Sequence, residues 1–199
     1  PLMLIVRQQN TKVQQARTMS SASRVRNWEL AGILVIFFAG SAWHFVFEWS
    51  GYWRPIAWLV PINESVWEHF KMAFWPGLIW AGIASAVVGQ NVKNYWLGRA
   101  SGLWCMPVII AVISYSYTTA LGTRYLWVDI LSFLIAIAIG QLVSYKLFYL
   151  AELGVHARWL GILGIVGMIL VFVFFTYMPP QIFIFEHVPT HEYGILVDY

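Results

Sequence analysis

The sequence predicts an all-α fold: an integral membrane helical bundle of about five transmembrane helices, N-terminus cytoplasmic and C-terminus outside. Composition and run length carry the class. Hydrophobic residues make up 60% of the chain and charged residues only 11%, against about 25% charged in a soluble domain. Apolar runs close to the roughly 20 residues that cross a bilayer recur along it. Their backbone groups can be satisfied in lipid only within helices or a closed barrel, and strand-period alternation does not persist through them. The distribution of basic residues carries the orientation. Arg7, Lys12, Arg17, Arg24 and Arg26 precede the first run, Lys93 and Arg99 adjoin the second connection, and Lys146 and Arg158 adjoin the fourth. Only Arg54, Lys71 and Arg124 fall on the other side, and basic residues favour the cytoplasmic face. The formal net charge of +3 follows from this asymmetry, so nucleic acid is not an expected partner.

Taken in order, residues 1–26 form a polar, basic arm expected to be disordered or surface-lying. Met19 is a plausible native start, with residues 1–18 an addition upstream of it. Spans are expected over 28–48, 66–89, 96–120, 126–149 and 158–178, within a transmembrane domain covering 27–178. Ala39-Gly40-Ser41-Ala42 resembles a signal-cleavage site, but the apolar run outlasts a usual signal core, so the first span should stay in the membrane. A Trp-rich loop with Trp49, Tyr52, Trp53 and Trp58 follows, bracketed by Pro55 and Pro61.

Asn63 is the expected N-cap of the second span, with Glu64 in its first turn, where a negative charge suits the helix dipole. Pro76 and Pro107 lie inside the second and third spans and predict kinks. Gly98 and Gly102, and Gly161, Gly164 and Gly167, supply small residues for close helix packing. The single cysteine, Cys105, rules out an intrachain disulfide and is read as a packing residue. The tail 179–199 begins with Pro179-Pro180 and alternates over 181–186, which suits a short extended or interfacial stretch. Aromatic residues are expected mainly in interface belts and helix packing.

The chemistry concentrates at one end. His44 and Glu48 close the first span, Glu64, Glu68 and His69 open the second, and Asp129 opens the fourth. Glu186, His187, His191, Glu192 and Asp198 lie in the tail. Only Glu29, Glu152 and His156 belong to the opposite side. Ionisable groups near membrane depth are costly and often mark function. Helical spacing puts His44 with Glu48 on one face, and Glu64, Glu68 and Lys71 on another as an expected structural ion-pair cluster. Ser65 and His69 form a second stripe about 100° away.

His44, His69, Asp129, His187 and His191 have the donor types of a zinc or other divalent-cation site, with Glu48, Glu64 or Glu68 as a candidate general base. Such a site would activate water for hydrolysis. There is no His-Glu-x-x-His motif and no cysteine pair, and each histidine alone suits an interfacial hydrogen-bonding role better than ligation. Tyr115, Tyr117, Thr118 and Thr119 reach the same end as candidate head-group donors or belt residues.

The run Pro61-Ile62-Asn63-Glu64-Ser65-Val66-Trp67-Glu68-His69, with His44, Glu48, Gly51, Lys71 and Tyr193-Gly194, resembles the signature of a family of small uncharacterised prokaryotic membrane proteins. That resemblance implies a multi-pass protein of a prokaryotic plasma membrane and implies no activity. The His and Asp content also bears a looser chemical similarity to the alkaline-ceramidase-type membrane hydrolases, which have seven helices and a different motif order.

Three functions compete. The first is a metal-dependent hydrolase or metal-binding protein acting on a lipid-linked or amphipathic substrate at the outer leaflet. The second is a non-catalytic membrane subunit that assembles with a membrane-protein partner or its own copies. The third is a proton- or cation-coupled carrier, disfavoured because the inner halves of the spans offer few polar groups beyond Gln141, Ser144 and Lys146 and no inverted repeat is visible.

Overall fold

A computed structural model describes the backbone of residues 2–196 and the side chains of residue 19 and residues 21–196. It is all-helical: α1 (Leu2–Trp43), a short α2 (Val46–Trp49), α3 (Val66–Val87), α4 (Tyr95–Leu121), α5 (Leu126–Phe148) and α6 (Gly154–Tyr177). Five segments are long and apolar enough to cross a membrane: Ser21–Trp43, Val66–Val87, Tyr95–Leu121, Leu126–Phe148 and Gly154–Tyr177. The bilayer is therefore the protein's surrounding medium, and the many exposed Leu, Ile, Val and Trp side chains on these helices face it.

Two boundaries differ from expectation. The basic arm is helical and continuous with the first span, since α1 already begins at Leu2. The first span ends at Trp43, not 48, because the chain turns at His44 and Phe45 before α2. His44 and Glu48 thus do not share one unbroken helix. Pro76 and Pro107 sit inside α3 and α4, which both run on past them.

Helix α4 packs against α3, α5 and α6, while α1 packs against α3 and α5. Small residues make these approaches close. A Cβ at Gly40 would meet the Met72 carbonyl oxygen at 2.5 Å and the Phe133 ring at 2.6 Å, so α1 lies tight against α3 and α5. The small-residue run that resembles a cleavage site is thus used in packing. A Cβ at Gly102 would meet the Gly140 carbonyl oxygen at 2.5 Å, which brings α4 and α5 together. Gly161 approaches the backbone of Trp96 and Leu97 in the same way, whereas among the described residues a Cβ at Gly167 would meet nothing within 4 Å.

The core is aromatic and aliphatic, centred on Phe74, Met106, Ile137 and Phe172. Trp67 docks the tail beside α6, its ring 4.6 Å from Phe185 of the tail and 5.2 Å from Phe172 of α6 between centroids. The tail itself is a 3-10 turn over Phe183–Phe185 followed by a single antiparallel bridge, Glu186 to Tyr193, in place of the extended stretch the alternation suggested. Asp198 lies outside the described residues.

Candidate functional site

The motif 61–71 folds as two devices joined at a helix start. Ser65, not Asn63, is the N-cap of α3: its Oγ accepts the Glu68 N–H at 3.3 Å. Asn63 acts two residues earlier, its Oδ1 accepting the Ser65 N–H at 2.8 Å and its Nδ2 donating to the Gly194 carbonyl at 2.9 Å. Side chains that bond nearby backbone groups favour such turns and caps. With the cap at Ser65, Glu64 precedes the helix, so the expected face of Glu64, Glu68 and Lys71 does not form.

Glu68 and Lys71 are the first device. Lys71 Nζ donates to Glu68 Oε2 at 2.6 Å and to the Ala57 and Val60 carbonyls at 2.9 and 3.4 Å. Glu68 Oε2 also accepts the Ile62 N–H at 3.0 Å. Both side chains are buried. Their work is to clamp the 51–65 connection onto α3, aided by Trp43 Nε1 donating to the Leu59 carbonyl and Trp75 Nε1 to that of Trp58. Glu68 lines neither cavity described below.

Glu64 belongs to the second device. Its Oε1 lies 3.2 Å from His44 Nε2 and its Oε2 lies 3.6 Å from His69 Nε2. The two imidazoles face each other, 5.6 Å between centroids. His69 Nδ1 is 2.7 Å from the Ser65 carbonyl oxygen. A carbonyl only accepts, so Nδ1 carries a proton, and when the ring is neutral Nε2 turns its lone pair toward the carboxylate. His44 Nδ1 is buried without a partner among the described residues.

Electrostatics follow the geometry. The hydrogen bond from His44 holds the Glu64 carboxyl down at about 2, against burial and with help from the neighbouring imidazoles. Glu64 in turn raises the His44 imidazole above its ordinary value, chiefly through that hydrogen bond. His187 completes the corner from the tail: its Nδ1 accepts the Glu64 N–H at 2.9 Å, and burial lowers its basicity.

This cluster forms part of the wall of a cavity of about 560 Å³ lined by all of α1, α3, α4 and α5 near their ends. Its polar lining comes from His44, Glu64 and His69 and from Asp129, Arg124, Ser114 and Ser132. Apolar walls come from Val66, Met72, Ile110, Leu126, Ile130 and Phe133, and Val188 and Pro189 of the tail reach its edge. Ligand sites are commonly of this size and character, apolar with a few convergent polar groups. A smaller cavity of about 240 Å³ adjoins His44 and Glu64 and is lined by Glu48.

The expected site residues therefore separate. His44, His69, Asp129 and Glu64 line the main cavity, and His187 braces Glu64 from behind. Glu48 is exposed and lines only the small cavity, while His191 is exposed and paired with Glu186. Tyr117 donates to Asp129 Oδ1 at 2.7 Å, Tyr115 to the Phe183 carbonyl at 3.4 Å and Thr118 to that of Ser114 at 2.7 Å. Those hydroxyls serve internal bonds. Among the described residues no group of three or more His, Cys, Asp and Glu side chains is arranged to hold a metal ion.

Two features escaped the sequence reading. Arg124 lines the cavity, though the sequence marks it only as a basic residue in a short connection next to Asp129. At the opposite end of the spans, Glu29 and Arg99 form a buried two-fold pair at 2.6 and 2.8 Å, with Gln141 accepting from Arg99 at 3.3 Å. The halves of the spans that the sequence reading expected to lack matched charges thus do hold them.

Residues 17–195 match the model of DUF6512, described as a family of unknown function, and the chain belongs to that family. No curated protein and no solved structure matches it.

Proposed function

We propose that this multi-pass membrane protein binds a lipid-linked or other amphipathic molecule in the 560 Å³ cavity and hydrolyses it by acid–base chemistry at His44, Glu64 and His69. One observation carries the reading: an apolar cavity between membrane-spanning helices has an imidazole nitrogen, His69 Nε2, and a carboxylate oxygen of Glu64 at its wall, 3.6 Å apart. With Nε2 unprotonated both atoms are acceptors, and a water or substrate hydroxyl supplies the donor.

In the proposed step, water donates a proton to His69 Nε2 while its oxygen bonds to an acyl or phosphoryl centre of the bound molecule. The bond to the leaving oxygen breaks with its electron pair, and the proton passes back from the imidazole to that oxygen. Glu64 orients the water and stabilises the imidazolium, and His44 holds Glu64 ionised. Under the orientation that the basic residues favour, the cavity opens near the outer leaflet, where such molecules reside.

The test begins with amphiphiles retained by protein purified in mild detergent from its own membrane. Those found on wild type and missing from the cavity-filling variant Ser41→Phe are returned to reconstituted protein, and product is measured. His69→Gln should lower turnover by about 10²-fold or more, and Glu64→Gln should act in the same direction. Equal retention by Ser41→Phe, or full turnover in His69→Gln, would overturn the proposal. Metal content is measured alongside. About one zinc per chain, lost in both His44→Ala and His69→Ala, would replace acid–base catalysis with the metal-dependent route.

A further inference from the structure

Two carboxylates, Glu64 and Asp129, and one guanidinium, Arg124, line the cavity, and the three are held differently. Glu64 is paired with His44 and His69, and Asp129 accepts a hydrogen bond from Tyr117. Arg124, half-buried in the cavity wall, has no hydrogen bond or ion pair among the described residues. A guanidinium presents a planar fork of donors that fits carboxylate or phosphate two bonds at a time. It leads directly into α5, whose first residue has no side-chain N-cap. Asp129, in the first turn of that helix, already answers the positive end of its dipole, so the guanidinium alone is the feature that selects an anion. Glu64 and Arg124 line the same cavity, so a molecule held at Arg124 has its reacting bond within the space that His69 faces.

We propose that Arg124 is the head-group receptor of this cavity and that the molecule bound there is an anionic amphiphile, its phosphate or carboxylate on the guanidinium and its chain against Met72, Ile110 and Phe133. This rests on the amphiphile reading above and specifies its substrate class. Tyr117 gives its hydroxyl proton to Asp129 and the Ser114 hydroxyl is uncharged, which leaves Arg124 to discriminate by charge.

Binding of hexadecyl phosphate, hexadecanoate and uncharged hexadecanol to the delipidated full chain in maltoside micelles tests it, with inorganic phosphate as competitor. Wild type should bind one or both anions about ten-fold more tightly than hexadecanol, and the tighter of the two identifies the head group. Arg124→Gln should lose that preference while keeping its hexadecanol affinity, and Arg124→Lys should keep part of it. Ser41→Phe should weaken all three. Equal binding of the three amphiphiles by wild type, or an unchanged preference in Arg124→Gln, would overturn the anionic assignment and leave the amphiphile site standing. Absence of binding by any of them, or binding untouched by Ser41→Phe, would sink the amphiphile reading and this inference with it. Full displacement by inorganic phosphate would make it a small-anion site and overturn the proposal.

Discussion

The bundle carries charged groups at both ends, and the two ends use them in opposite ways. At one, Arg99 holds both carboxylate oxygens of Glu29 and lies over the rings of Tyr95 and Phe148, 5.1 and 5.0 Å from their centroids. Gln141 and close-packed helices seal that pair, and neither described cavity is lined by it. At the other, Glu64 is about half exposed, its imidazole partners stand at 3.2 and 3.6 Å, and they line a cavity. A sealed pair fixes helix positions; an open one keeps lone pairs and protons available. Lys71 and Glu68 show that the sealed arrangement is also built within the motif, one helical turn from the open one.

The comparison can be broken most forcefully at the sealed end. Arg99→Gln leaves the Glu29 carboxylate buried without its cation and should cost about 3–5 kcal/mol, read as thermal unfolding in detergent. Restoring neutrality with Glu29→Gln in the same chain should recover much of that loss. Lys71→Met strands Glu68 with one backbone donor, and should cost about 3 kcal/mol on the same grounds. It should also loosen the 51–65 connection, seen as faster hydrogen exchange there. If either variant behaved like a surface substitution, the sealed description would be wrong for that pair.

Glu64→Gln sharpens the contrast, since an open pair should matter to stability far less, by under about 1 kcal/mol. Its effect should depend on pH. The depressed carboxyl of Glu64 contributes stability above its ordinary value near 4.5, lost as pH falls toward about 2. The raised imidazole of His44 contributes below its ordinary value near 6.5, lost as pH rises through its folded value. The variant should therefore differ most from wild type between these two ordinary values, and His44 titrated by NMR should return toward the usual histidine range.

The smallest effect is expected at His187. Its neutral Nδ1 accepts the Glu64 N–H, and its folded basicity is depressed. Stability from this contact is complete above pH 6.5 and declines as pH falls through the folded value, because the unfolded chain takes up a proton that the folded ring resists. Exchange over the tail, residues 179–196, should quicken on acidification in wild type and show little pH response in His187→Asn.

Length, apolar content and the spacing of polar runs determined the class of this protein, because a lipid-facing backbone has two solutions, helix and closed barrel, and the long runs lack the alternation a barrel needs. The same patterning placed His44, Glu64, His69 and Asp129 at one end, since chain reversal after each span dictates which termini meet. What tertiary structure decided was pairing. Glu64 and Glu68 look alike at four-residue spacing, yet the cap at Ser65 turns one out of the helix toward two imidazoles and leaves the other sealed against Lys71. Arg99 and Glu29 lie 70 positions apart and meet only because α1 packs beside α3 and α5, and α4 packs between α3 and α5. Arg124 carries no local mark of its role, for its want of a hydrogen bond or ion pair among the described residues is a property of the folded neighbourhood.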